Sequence, residues 1–137
     1  MSKDSKIEPE EIYFGIKLPQ AIGGTVKVGK YLYGTTGQGM TCLDFKTGEV
    51  KWEDRGIGTA SLFFADGRLY LHGENGEVAL VEPSPESYRE KGRFSPPDQP
   101  KHVTQMEKAW AYPVVANGQL YIRDAGKLWC YNVKAGQ

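Results

Sequence analysis

The chain has 137 residues, of which 39% are hydrophobic, with 17 basic and 17 acidic side chains. That length suggests one domain, and that apolar content supports a core, which excludes wholesale disorder. The balanced charge gives no electrostatic reason to expect nucleic acid or an anionic membrane as partner.

The first residues, Met1 to Lys6, are polar and lack the apolar centre of a secretory signal. No stretch approaches the roughly 18 to 20 apolar residues that a membrane span requires. The chain as written is therefore expected to be soluble, with no membrane span and with residues 1–11 as a disordered tail. Ile12-Tyr-Phe-Gly-Ile-Lys-Leu18 then reads as a strand without a hairpin of its own.

Beyond it a seven-residue phrase recurs three times: Val28 to Gly34, Ala65 to Leu71 and Ala116 to Ile122. Its glycines, Gly29, Gly67 and Gly118, lie 38 and 51 residues apart. Asp66-Gly67 and Asn117-Gly118 are strong hairpin signals, because a type I′ turn needs positive φ at both central residues. The flanking runs, such as Ala60 to Ala65 and Ala111 to Ala116, are apolar and β-prone. Each repeat thus opens with a tight hairpin.

A further strand follows each hairpin, beginning near Gly39, Gly76 and Gly126. The first repeat continues through Lys46-Thr-Gly48 into a fourth strand, Glu49 to Glu53. In the second, Pro83-Ser-Pro-Glu86 breaks the chain before Tyr88 to Phe94 returns as the outer strand. Residues 95–108 are Pro-rich and polar and read as a loop inserted between repeats. The third repeat stops at Gly136-Gln137, where its outer strand is due. No helical spacing of apolar residues is visible.

Four short antiparallel strands per unit of about 40 residues is the arithmetic of a β-propeller blade. The expected fold is all-β, with about three four-stranded antiparallel blades near 24–54, 58–94 and 109–136 inside a segment spanning 12–137. Propellers need at least about four blades to close, so the chain is expected to form a partial propeller.

The remaining chemistry-bearing residues form no catalytic pattern. Cys42 and Cys130 have no CxxC or His spacing around them and read as small buried hydrophobes, their disulfide state left open. His72 reads as a turn or strand-edge residue, and His102 lies in the polar insertion. Glu74, Glu77 and Glu82 read as a solvated edge. Gly37-Gln-Gly39 precedes a strand rather than a helix, which disfavours phosphate binding. Tyr31, Tyr33, Tyr70 and Tyr121 recur at repeat positions and read as packing residues.

The most informative segment is Cys42-Leu-Asp44-Phe-Lys-Thr47-Gly48-Glu-Val-Lys-Trp52. Asp44 and Thr47 flank a turn whose amides their oxygens can bond, and Gly48 supplies permissive φ. Trp52 offers a flat apolar face and an indole N–H for a neighbouring element. The segment resembles the tryptophan-docking motif of quinoprotein (PQQ-type) propellers, in which Ala-x-Asp-x-x-Thr-Gly-x-x-x-Trp ties blades together. Cys42 stands where that motif has Ala. The third repeat carries a partial copy ending at Ala135-Gly136, and the second keeps only Ala79.

The resemblance implies structural roles for Asp44, Thr47, Gly48 and Trp52, and no catalytic, cofactor-binding or metal-binding residue is assigned. Quinoprotein dehydrogenases hold PQQ and calcium at the centre of a complete ring, often over an adjacent Cys-Cys pair that this sequence lacks. The same fold serves without cofactor in the bacterial outer-membrane assembly propellers. The expected function is a non-enzymatic binding or scaffold segment of a bacterial envelope-type protein, and the parent's periplasmic or envelope location is likewise implied by resemblance. The expected partners are a protein or further blades, including a second copy in which each chain completes the other's last blade with its Ile12–Leu18 strand. The alternative is a C-terminal fragment of a PQQ-dependent dehydrogenase, and only that alternative brings PQQ and calcium as cofactors.

Overall fold

Three antiparallel sheets follow one another along the chain in the computed structural model, which describes residues 7–15, 18–19, 24–100, 108–109 and 111–134. The first holds β1 (Thr25–Val28), β2 (Tyr31–Thr35), β3 (Met40–Asp44) and β4 (Val50–Asp54) in simple meander order. The second holds β5 (Ala60–Ala65), β6 (Arg68–Gly73), β7 (Val78–Glu82) and β8 (Arg89–Phe94) in the same order. The third holds β9 (Val114–Ala116), β10 (Gln119–Asp124) and β11 (Lys127–Asn132). No helix occurs among the described residues.

Turn chemistry sets this register. Asp66 and Gly67 have φ of 49° and 75°, and Asn117 and Gly118 have 52° and 72°, the positive pairs that a type I′ hairpin demands. The first hairpin differs: only Gly29 is positive, at 61°, which is the demand of a type II′ turn. Val28 pairs with Tyr31 and Ala65 with Arg68, so Gly29 occupies the place of Asp66 rather than that of Gly67. Aligning the repeats on their glycines is therefore one residue out for the first sheet. Tyr33 pairs with Cys42, Tyr70 with Leu80 and Tyr121 with Cys130, so Leu80, not Ala79, stands in the place of Cys42.

The sheets stack in sequence, approaching one another through their first strands: β1 and β2 lie against β5, and β5 lies against β9. Between the first two sheets are packed Tyr33, Met40, Cys42, Leu62, Leu69, Leu71, Ala79 and Val81. Between the second and third are Tyr70, Val78, Leu120 and Ile122, flanked by Leu80, Trp129 and Tyr131. Each fully buried aliphatic side chain contributes about 1.5–3 kcal/mol relative to exposure. Apolar residues on both faces of the middle sheet explain why its strands read as continuous apolar runs.

Two expectations need correction. Residues 12–15 are not a strand, and 16 and 17 lie outside the described residues. Tyr13 and Pro19 instead lie against the first sheet. The Tyr13 hydroxyl donates to the Phe45 carbonyl at 2.7 Å, and the Tyr13 ring occupies the space a side chain at Gly48 would need. Pro19 lies likewise against Gly34. The segment thus meets the β3–β4 turn and the inner strand β2 through the side chains of Tyr13 and Pro19 rather than through a fifth backbone ladder. Secondly, only one cysteine is buried: Cys42 is, whereas Cys130 is exposed because it lies on the face of the third sheet turned away from the second.

Candidate functional site

The two joints between sheets carry the chain's most specific contacts. β3 and β4 pair Cys42 with Trp52 across a bulge, which points the indole at the second sheet. There Trp52 Nε1 donates to the Ser84 carbonyl at 2.7 Å. The indole sits between two tyrosines, with ring centroids 6.4 Å from Tyr33 and 5.9 Å from Tyr88, the latter edge-on at 70°. The Tyr88 hydroxyl donates to Glu90 at 2.6 Å. Burial first, and Glu90 second, push its pKa well above that of an ordinary phenol. Arg93 pairs with Glu90 at 2.8 Å and reaches back to the Gly56 carbonyl, tying β8 to the connection between the sheets.

A second clasp lies at the other end of this joint. Thr35 Oγ1 donates to the Ala60 carbonyl at 2.9 Å and accepts from the Ala60 amide at 3.1 Å, while Thr59 Oγ1 donates to the Thr36 carbonyl. Thr35 is fully buried, so this reciprocal pair satisfies a hydroxyl that would otherwise carry a desolvation cost.

The other motif residues take a different place. Asp44 Oδ1 accepts from the amides of Lys46 and Thr47, both at 2.9 Å, and Thr47 Oγ1 accepts from the Glu49 amide. Gly48 has φ of 76° and its amide donates to the Asp44 carbonyl. The Thr47 amide is the chief reason that the Asp44 carboxyl titrates below its usual range. Asp44, Thr47 and Gly48 thus shape the β3–β4 turn, against which Tyr13 rests, whereas Trp52 meets the next sheet. The end of the third repeat's partial copy, Ala135 and Gly136, lies outside the described residues.

The second joint is built differently. Phe94 and Tyr131 meet edge-on with centroids 4.8 Å apart, and Trp129 Nε1 donates to the Pro97 carbonyl at 3.0 Å. His72 is buried here rather than lying at an exposed edge, with Nδ1 2.9 Å from the Ala111 carbonyl, so Nδ1 carries the proton. Burial is the main reason that its pKa falls below the ordinary imidazole value, with the Ala111 carbonyl and Asp124 acting the other way. A cleft of about 290 Å³ opens between β8 and the third sheet, lined among others by Tyr70, Leu80, Gly92, Phe94, Leu120 and Val133.

Ser84, Thr35, Tyr88 and Gly92 were not visible as site residues in the sequence. Only Ser84 left a local trace, the Pro83-Ser84-Pro85 break. The three glutamates form surface ion pairs: Glu74 with Lys108, Glu77 with Arg93 and Glu82 with Lys91. Among the described residues no three His, Cys, Asp or Glu side chains converge as metal ligands, and the two cysteines are free and on different sheets.

Meandering sheets of this kind, stacked face to face through their first strands, define a run of β-propeller blades, here a partial propeller. Among solved structures the chain is similar to BamB from Moraxella catarrhalis, with a TM-score of 0.62 and 17% identity over 82% of this chain. It is also similar to a europium-containing methanol dehydrogenase, with a TM-score of 0.57 and 15% identity over 90% of this chain. The chain spans 34% of the first and 26% of the second, and the likeness is one of fold. It agrees with the quinoprotein-type propeller that the Asp44–Trp52 motif resembles. No family model and none of the curated proteins matches the sequence.

Proposed function

We propose that this chain is a non-enzymatic propeller segment whose third sheet binds a protein partner. One observation carries the reading. The face built around Tyr33 and Cys42 in the first sheet, and around Tyr70 and Leu80 in the second, is covered by the following sheet. The corresponding face of the third sheet bears Val114, Tyr121, Leu128 and Cys130, with Leu128 68% exposed. Grouped apolar side chains on a sheet face mark an interaction surface. Its chemistry suits another sheet of the same kind, whether from further blades, from a separate protein or from a second copy. A cell-envelope setting is the corresponding reading of the parent protein.

Sedimentation velocity at rising concentration tests the face, comparing the chain with its Leu128→Glu variant. Self-association that the variant abolishes is the expected result. Association unchanged by the charge, or a chain that stays monomeric throughout, overturns binding of a second copy. PQQ-dependent alcohol oxidation by the isolated chain would overturn the non-enzymatic reading altogether.

A further inference from the structure

The two joints differ at one position. β7 and β8 pair Leu80 with Gly92 across a bulge at the place where β3 and β4 pair Cys42 with Trp52. Gly92 therefore stands where the first sheet has its tryptophan. Nothing in the backbone calls for glycine there: its φ is not positive, and a Cβ would meet nothing within 4 Å. Glycine inside a strand weakens it, and such positions often admit a ligand or another chain. The consequence here is the cleft of about 290 Å³.

Its walls repeat those around Trp52. Tyr70 takes the place of Tyr33, which lies beside the Trp52 ring, and Leu120 of the third sheet closes the far side. Ser84, the acceptor of the Trp52 N–H, lies four residues past Leu80; four past Cys130 is Lys134, whose neighbour Val133 lines the cleft. β8 is an edge strand of its sheet, so the cleft is open at the rim. Phe94, at 39% exposure, stands beside the opening.

We infer that the Gly92 cleft receives a tryptophan side chain from a partner polypeptide, which supplies in trans the indole that Trp52 supplies in cis at the first joint. This site is separate from the exposed face of the third sheet, which is turned the opposite way. The indole would stack beside Tyr70, between Leu80 and Leu120.

The experiment is a titration of the ¹⁵N-labelled chain with N-acetyl-tryptophanamide and, separately, with free indole and N-acetyl-alaninamide. Saturable shifts at Gly92, Tyr70, Leu120 and Val133, at millimolar concentration or below, are expected with the tryptophan derivative and not with the alanine one. Gly92→Trp fills the cleft from within: it should abolish those shifts and raise the thermal midpoint. Phe94→Ala should weaken the binding several-fold while leaving the fold intact. No shifts in the cleft, or shifts that persist in Gly92→Trp, overturn the proposal. Free indole binding more tightly than the amide derivative would point to a small aromatic molecule and overturn the polypeptide source.

Discussion

The Trp52 indole and the Ser84 carbonyl meet at 2.7 Å across the gap between the first two sheets. A donor that spans a joint while its ring packs on both sides couples the two sheets into one cooperative unit. Trp52→Phe keeps most of the ring and removes the N–H, so it should cost about 1 kcal/mol. Trp52→Ala leaves a cavity and should cost about 3 kcal/mol. Urea unfolding measures both, and a phenylalanine variant as stable as the parent would deny the hydrogen bond any weight.

Asp44 should titrate below an ordinary aspartate, because the Thr47 amide, its hydroxyl and the Lys46 amide all favour the charged form. A carboxyl depressed on folding gives stability that is present above its unfolded pKa and lost as pH falls through the folded one. Stability should thus decline below about pH 4. Asp44→Asn should flatten that decline. A carboxyl ¹³C titration that places Asp44 at or above the normal range rejects the turn geometry.

The two thiols should differ sharply in reactivity. Burial pushes the Cys42 thiol up to about 11, and the residue is fully enclosed between sheets. Cys130 is exposed. A thiol reagent near neutral pH should therefore label one cysteine fast, and mass spectrometry should place the label on Cys130. Cys42 should react only on unfolding. Equal rates at the two sites would contradict the burial of Cys42.

His72 should make the fold acid-sensitive over a separate window. Its pKa is lowered on folding, so the unfolded chain takes up a proton first, and stability present above about pH 6.5 falls as pH drops below it. Asp124 on the facing third sheet limits the fall, because it favours the charged ring. His72→Asn retains a donor for the Ala111 carbonyl and cannot take a charge. Its thermal midpoint should vary less than the parent's between pH 7 and pH 5, on the order of the imidazole range. An identical pH profile in the variant would remove His72 from the account.

Ala125 carries a φ of 52° in the turn between β10 and β11, a region that a side chain penalises. Ala125→Gly should stabilise the chain by about 1 kcal/mol. A drop in the thermal midpoint would show that the turn is held some other way.

Much of the strand plan was legible because its causes are local. Asp66-Gly67 and Asn117-Gly118 demand positive φ whatever lies around them, and Asp44 to Gly48 close a turn on their own amides. The motif around Trp52 likewise announced an indole looking for a neighbour. What it would find was not legible, since Ser84 and Tyr88 lie 32 and 36 residues further on in a stretch with no copy of the motif. Ile12 to Leu18 has strand-like composition, yet Tyr13 and Pro19 meet the first sheet with side chains instead of a backbone ladder.

By itself, then, the sequence determined that this chain forms short antiparallel strands in repeated units, because turn dihedrals and strand alternation are properties of neighbouring residues. Only the tertiary structure decided which faces meet. Side chains alternate with a period of two, so the extra residue between Tyr70 and Leu80, ten apart where Tyr33 and Cys42 are nine apart, decides which residue of β7 shares the tyrosine's face. That register makes Leu80 and not Ala79 the counterpart of Cys42. The stacking of the sheets buries Cys42 against the second sheet, leaves Cys130 exposed on the third, and sets Gly92 opposite open space where the first sheet has Trp52.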